Sequence, residues 1–161
     1  PREENFLNFI KLIQKGWGLQ IGRAGKELSL IYVSDLVEAM LTASNPSKQK
    51  GRSYFVTDGH VYVWEQIAKE CARIMNIHVK TLKIPEAVLV PVALFFEAWS
   101  SVSSKPALFD RQRMIDIRQS SWSASPENFF KNFGFTPKYE LSRGLAETIN
   151  WCQQEKWLSY E

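Results

Sequence analysis

Apolar positions along the chain repeat in two rhythms. Phe6, Phe9, Ile10 and Ile13 fall at helical spacing, with Asn5 placed to cap the helix and Gly16 to end it. Residues 19–21 then read as a short strand, "GRAGKE" at 22–27 as a turn, and 28–33 as a second strand. The run "IYVSDLVEAM" (31–40) switches from a β pattern to a helical one at Ser34. Ser34 is expected to cap that helix, which runs to about Ala43, and Asp35 puts negative charge in its first turn. Residues 45–51 form a loop, and 53–56 read as a strand ending at "TDG". Trp64, Ile67, Ala68, Cys71, Ile74 and Met75 share one side of a helix over 64–77. A strand is expected at 79–84, stopped by Pro85. The most apolar stretch, "EAVLVPVALFFEAWSS", covers 86–101, and a further helix is expected near 108–117. "SPENFFKNFGF" (125–135) has a cap, Pro at the first helical position and Gly at the end. A last helix is predicted over 142–155, followed by Trp157 and Leu158. Strands alternate with helices, so the fold class is mixed α/β.

The chain has 161 residues, enough for one domain with a core. Its net charge of +3 is small and dispersed, which argues against a nucleic-acid partner. Cys71 and Cys152 lie far apart in no metal or redox spacing, and each falls on the apolar side of its helix. Buried free thiols and a reducing, cytoplasmic compartment are therefore expected. His60 and His78 have no neighbours that would complete a metal set. No signal-peptide pattern is visible. The chain opens on Pro1 without Met, and the expectation is a piece of something longer, a trimmed terminus being the alternative.

Candidate chemistry is sparse. "GWGLQIG" (16–22) resembles a phosphate loop in composition, but its glycines follow a helix and open a strand. A dinucleotide loop needs the reverse order, so that a helix N-terminus faces the pyrophosphate. The apolar run 87–96 contains Pro91 and is bounded by Glu86 and Glu97, too short for the roughly twenty residues of a membrane span. A buried or pocket-lining helix is expected there, with interfacial membrane contact as a minority reading. Tyr32 has no Lys four residues on, and Ser34 and Asp35 have no His nearby in sequence. Arg111, Arg113 and Arg118 form a cluster that either holds an anionic group or covers a solvated face.

Several segments nonetheless stand in a telling order: "IYVSDLVEA", "YFVTDG", "GFTP" and the terminal "GLAETINWCQQEKWL". Together they resemble the C-terminal half of the extended short-chain dehydrogenase/reductase family, the NAD-dependent epimerase/dehydratase group. The resemblance implies the C-terminal part of an extended Rossmann-type fold with a small mixed α/β substrate-binding region. Residues 1–161 would be a single fragment, with the N-terminal nucleotide-binding half missing. Pro1 and Arg2 would be the tail of a Tyr-Gly-Pro loop. In the "Tyr-Val-x-Asp" element, Val33 and Leu36 would pack while Ser34 and Asp35 cap.

The family's glycine-rich turn and its Tyr and Lys would precede Pro1. The resemblance therefore carries over no catalytic residue, and NAD or NADP would be held by the parent protein and not by this chain alone. Sugar-nucleotide members carry Arg-Asp before the Tyr-Val run, where this chain has Leu28-Ser29-Leu30. A Leu offers no polar partner to a ribose or phosphate. That leans toward a lipophilic or small alcohol or carbonyl substrate, the nucleoside-diphosphate sugar being the alternative. Substrate-binding positions implied by the family pattern are Arg2, Phe6, Gln20, Ile21, Leu28, Leu30, Trp99, Arg111 and Arg113, with a core role equally open to the apolar ones. Expected partners are the missing half and a small-molecule substrate. A non-enzymatic binding module is the competing reading, and self-association through uncovered apolar surface is expected of a severed half.

Overall fold

The computed structural model describes residues 4–22, 25–44, 51–85 and 121–158, with the single positions 87 and 119. The apolar run at 86–101 and the helix expected at 108–117 lie outside the described residues.

Helix α1 (Glu4–Gln14) turns Ile10 and Ile13 fully inward. It starts one residue before Asn5, which therefore sits inside the first turn and not at its cap. Gly16 ends the helix at φ +79°, a conformation that suits glycine, while its N–H bonds the Ile13 carbonyl at 2.8 Å. Strand β1 (Trp17–Ile21) follows at once. After the turn come β2 (Glu27–Leu28), helix α2 (Val33–Ala43) and β3 (Tyr62–Val63). Helix α3 (Trp64–Met75) and strand β4 (Lys80–Ile84) come next, then β5 (Ser121–Trp122), α4 (Glu127–Phe133) and α5 (Leu141–Gln154).

Strands β1 and β4 pair in parallel from Trp17↔Lys80 to Ile21↔Ile84. The approach is close at Gly18, where a Cβ would stand 3.1 Å from Val79 Cγ1. Strand β2 lies between β3, antiparallel, and β5, parallel. The strand expected over 28–33 is thus much shorter. It extends only through the bonds from Ser29 N–H to the Trp122 carbonyl, 3.2 Å, and from Asp58 N–H to the Leu30 carbonyl, 2.8 Å. Its neighbours β3 and β5 have two residues each, so no longer ladder can form. Residues 53–56 belong to no described strand, and none of the described strands pairs with them.

The main core collects Ile10 and Ile13 from α1 with Ile67 and Cys71 from α3. Leu145, Ile149 and Cys152 from α5 complete it, joined by Leu28 and Leu158. Burial of each isoleucine contributes about 1.5–3 kcal/mol. Helix α3 begins with the Gln66 side chain accepting the Val63 N–H at 3.0 Å and ends on Asn76 in the left-handed region, φ +53°. A second, smaller core is aromatic: Phe129, Phe133 and Phe135 enclose Ala39. The helix inside "SPENFFKNFGF" starts later than expected, at Glu127, because Pro126 occupies the cap position. Gly134, φ +64°, closes it as the pattern predicts.

Candidate functional site

The strand-to-helix junction at 31–40 is where the described residues concentrate their polar interactions. Tyr32 is the residue at the cap of α2, and no side chain caps the helix. Ser34 is exposed and does not perform the expected capping. Asp35 sits in the first turn as expected, but its carboxylate faces inward, 1% exposed. Its Oδ2 accepts the backbone N–H groups of Lys138, 3.0 Å, and Tyr139, 2.9 Å. Those donors lie 103 and 104 residues away, so Asp35 pins a distant turn against α2 instead of capping its own helix. Glu38, one turn on, meets the Lys138 ammonium at 2.6 Å, and this partner holds the Lys138 pKa above its ordinary value.

The pinned turn presents Tyr139 to Tyr32, ring centroids 4.2 Å apart, with the Arg143 guanidinium 4.4 Å over the Tyr139 ring. Gly144 lets α5 pass beneath Tyr32, since a Cβ there would stand 3.3 Å from the Tyr32 ring. Burial first, then the Glu147 carboxylate, raises the Tyr32 phenol above its usual range, so it stays protonated at neutral pH. An open groove of about 420 Å³ runs beside it, lined by Tyr32 and Val33 on one side and by Glu147, Thr148, Asn150 and Trp151 of α5 on the other. The expected packing of Val33 and Leu36 does not occur; they are 62% and 37% exposed. Both lie on the outer face of α2, opposite Asp35 and Ala39.

A second constellation surrounds the "TDG" turn. Tyr62 Oη donates to Asp58 Oδ2 at 2.7 Å, and burial, followed by that bond, raises the Tyr62 pKa strongly. Asp58 Oδ1 accepts the His60 N–H and Thr57 Oγ1 accepts the Gly59 N–H, both at 3.0 Å. Gly59, φ +89°, packs against the Phe130 ring. A groove of about 360 Å³ opens there between Gly59, Val61, Ser123 and Pro126. Sequence reasoning missed both the Asp35 pin and the Asp58–Tyr62 bond. The signal for the second is local, a Tyr four residues after the Asp of an Asp-Gly turn. For the first it is an Asp sharing a helix face with Ala39.

The sequence-derived substrate positions separate into groups. Phe6 is half-buried against the main core, its ring centroid 5.9 Å from that of Phe9. Leu28 is part of that core and Leu30 packs on it. Gln20 and Ile21 are the last two positions of β1, opposite Lys83 and Ile84. Arg2, Trp99, Arg111 and Arg113 lie outside the described residues.

The described residues form no glycine-turn site of the kind that holds a nicotinamide dinucleotide. Among the described residues no strand passes through a glycine turn into a helix; Gly16 and Gly18 instead lead from α1 into β1. Four residues after Tyr32, Tyr54, Tyr62 and Tyr139 stand Leu36, Asp58, Gln66 and Arg143, so none makes a Tyr-x-x-x-Lys pair. No group of metal-binding side chains forms among the described residues, and none of their helices is long and apolar enough to cross a membrane. Cys71 and Cys152 are buried free thiols, as their positions predict. Burial, then the nearby Glu70, pushes the Cys71 thiol up to about 12.

No protein-family model matches the chain. Against proteins of known function it is 23% identical over 97 residues to the ceramide reductase of Caulobacter vibrioides, a match taking in 60% of this chain and 30% of that protein. Its fold is similar to several solved structures. The crystal structure of gox2253 matches with a TM-score of 0.70 at 17% identity, over 99% of this chain and 47% of that one. UDP-glucose 4-epimerase of Thermotoga maritima, solved with UDP-glucose, matches with a TM-score of 0.65 at 16% identity, over 92% of this chain and 39% of that one. dTDP-glucose 4,6-dehydratase of Bacillus anthracis, solved with NAD, matches with a TM-score of 0.64 at 12% identity, over 96% and 41%. The chain thus spans less than half the length of these structures. Its mixed α/β fold resembles part of the Rossmann-type fold of NAD-dependent epimerases and dehydratases.

Proposed function

We propose that this chain is the substrate-side half of an NAD(P)-dependent oxidoreductase or epimerase, whose reaction passes a hydride at an alcohol or carbonyl carbon. The observation that carries the reading is the match of 91–99% of the chain to one continuous fold class, that of NAD-dependent epimerases and dehydratases. In this reading the nicotinamide and the acid-base pair belong to the other half of the protein. The chain contributes shape: β1 with Gln20 and Ile21, and the polar turn at Asp58 and Tyr62. Residues Arg2, Trp99, Arg111 and Arg113 remain proposed contacts.

The proposed substrate is a lipophilic or small alcohol or carbonyl compound. Support comes from the apolar Leu28-Ser29-Leu30, where sugar-nucleotide enzymes would carry Arg, and from the similarity to a ceramide reductase. A nucleoside-diphosphate sugar is the second reading, favoured by the ligand solved with the Thermotoga epimerase.

Fluorescence titration with NADH tests the division of labour. The 161-residue chain is expected to show no micromolar site, whereas the protein translated from its whole reading frame binds NADH. A micromolar site on the chain alone would sink the proposal. With the whole protein, turnover of a long-chain ketone against UDP-glucose then separates the two substrate classes.

A further inference from the structure

Helix α5 turns one side, both polar and aromatic, to the groove beside Tyr32. Glu147, Asn150, Trp151 and Gln154 recur at intervals of three and four, so they line a single face of the helix, and Tyr32 stands across from them. Trp151 is 40% exposed yet held in place, its ring edge-on to that of Trp157 with centroids 5.0 Å apart. Asn150 and Gln154 are exposed amides, each with a carbonyl oxygen able to accept hydrogen bonds.

The charge in this groove runs against that of the chain. Net charge is +3, yet among the described residues no Lys or Arg lines the groove, and its one charged group is the Glu147 carboxylate. Arg143 precedes Glu147 by one helical turn, a spacing at which Arg and Glu can pair. Here the guanidinium turns away instead. It lies 4.4 Å over the Tyr139 ring and donates to the Lys138 carbonyl at 3.3 Å. Glu147 thus has no ion-pair partner among the described residues, and its charge is felt by the Tyr32 phenol across the groove. A carboxylate left unneutralised beside aromatic rings is the chemistry that recognises an organic cation. The rings attract the cation through their faces, and the carboxylate supplies the opposite charge. A guanidinium suits the set best, because it is planar, stacks on rings and offers several donors to the carboxylate and the two amide oxygens.

We propose that this groove binds an arginine side chain presented by an extended segment of a partner protein. The shape of the groove selects that source. It is open and follows α5 from Glu147 to Gln154, about 10 Å at the helical rise per residue. Free small ligands are held in concave sites that bury most of their surface. An open trough leaves a small cation in water and fits a chain lying across it. The proposal stands independently of the functional reading above.

Titration with an acetylated Gly-Arg-Gly peptide, followed by NMR, tests it on the 161-residue chain and on the protein translated from its whole reading frame. The peptide is expected to move the Trp151 indole N–H resonance, which the spectrum of W151F identifies. Its citrulline twin has the same shape without the charge. That twin, and the arginine peptide on E147Q, should each bind about fivefold more weakly. E155Q, which changes an exposed carboxylate outside the groove, should bind as the parent does. Equal binding by E147Q or by the citrulline peptide would overturn the proposal. So would a Trp151 resonance that stays unmoved in the whole-frame protein, where the rest of the fold would then cover the groove. Methylguanidinium binding as tightly as the peptide would assign the site to a free cation, and the partner segment would be lost.

Discussion

Asp35 is a buried carboxylate whose two hydrogen-bond donors are backbone N–H groups from a turn about a hundred residues away. Removing it leaves the Lys138 and Tyr139 amides without their acceptor beside a side chain that is 1% exposed. Hydrogen bonds to a charged group contribute about 1.5–3 kcal/mol each, part of which a relaxed turn regains from solvent. Asp35→Ala is therefore expected to destabilise the chain by about 2–4 kcal/mol, read from urea unfolding with the slope unchanged. A loss below about 0.5 kcal/mol would mean that the turn docks without the pin.

The thiols make a second residue-scale prediction. Burial raises the pKa of both Cys71 and Cys152. A raised folded-state pKa favours the neutral thiol, so this contribution to stability is complete below the unfolded thiol value of about 8.5. It is lost as pH climbs from there toward the Cys71 value of about 12. At pH 8 the native chain should leave a thiol-specific disulfide reagent unreacted over minutes, and both cysteines should react at once in denaturant. Rapid reaction in the folded state would place at least one sulfur at the surface.

At the scale of elements, what the sequence showed depended on where each element finds its partners. Helices α1, α3 and α5 were readable because each carries a complete apolar face that closes on the main core, so spacing alone specified them. Strands β1 and β4 were readable as short apolar runs set between turn residues. The runs at 28–33 and 53–56 have equally good β composition, yet a strand is a property of a pair. Whether a ladder forms was decided by residues 62–63 and 121–122, which the local pattern does not mention. The cap expected at Ser34 failed for a related reason. Ser34 is the right residue type, but the backbone leaves helical geometry at Tyr32 instead, whereas Ser125 Oγ does accept the Glu127 N–H at 3.4 Å, one residue before the cap position at Pro126. Of the candidate site, periodicity could tell that Phe6, Leu28 and Leu30 are turned inward without telling a core from a pocket. The Asp35 pin showed locally only as an Asp on the helix face of Ala39, and its partners, a hundred positions away, had no signature at all.

At the scale of the whole molecule, the described residues form two cores of unequal strength. The main one joins three helices with a strand; α3 packs on both α1 and α5. The aromatic one joins α4 to α2 through Ala39 alone from the buried residues of α2, with the outer stripe of that helix in water. Opening free energies follow buried apolar contact, so the two should not open together. In native-state hydrogen exchange of the 161-residue chain, amides of α3 and α5 are expected to exchange only with global unfolding. Those of α2 and α4 should exchange earlier, through a smaller opening that low urea barely affects. Asp35→Ala should speed α2 further and leave α3 as it was, since the pin holds the weaker unit to the rest. If α2 proved as slow as α3 in dilute solution, the stripe would have to be covered within this chain. The apolar face would then be part of its own core.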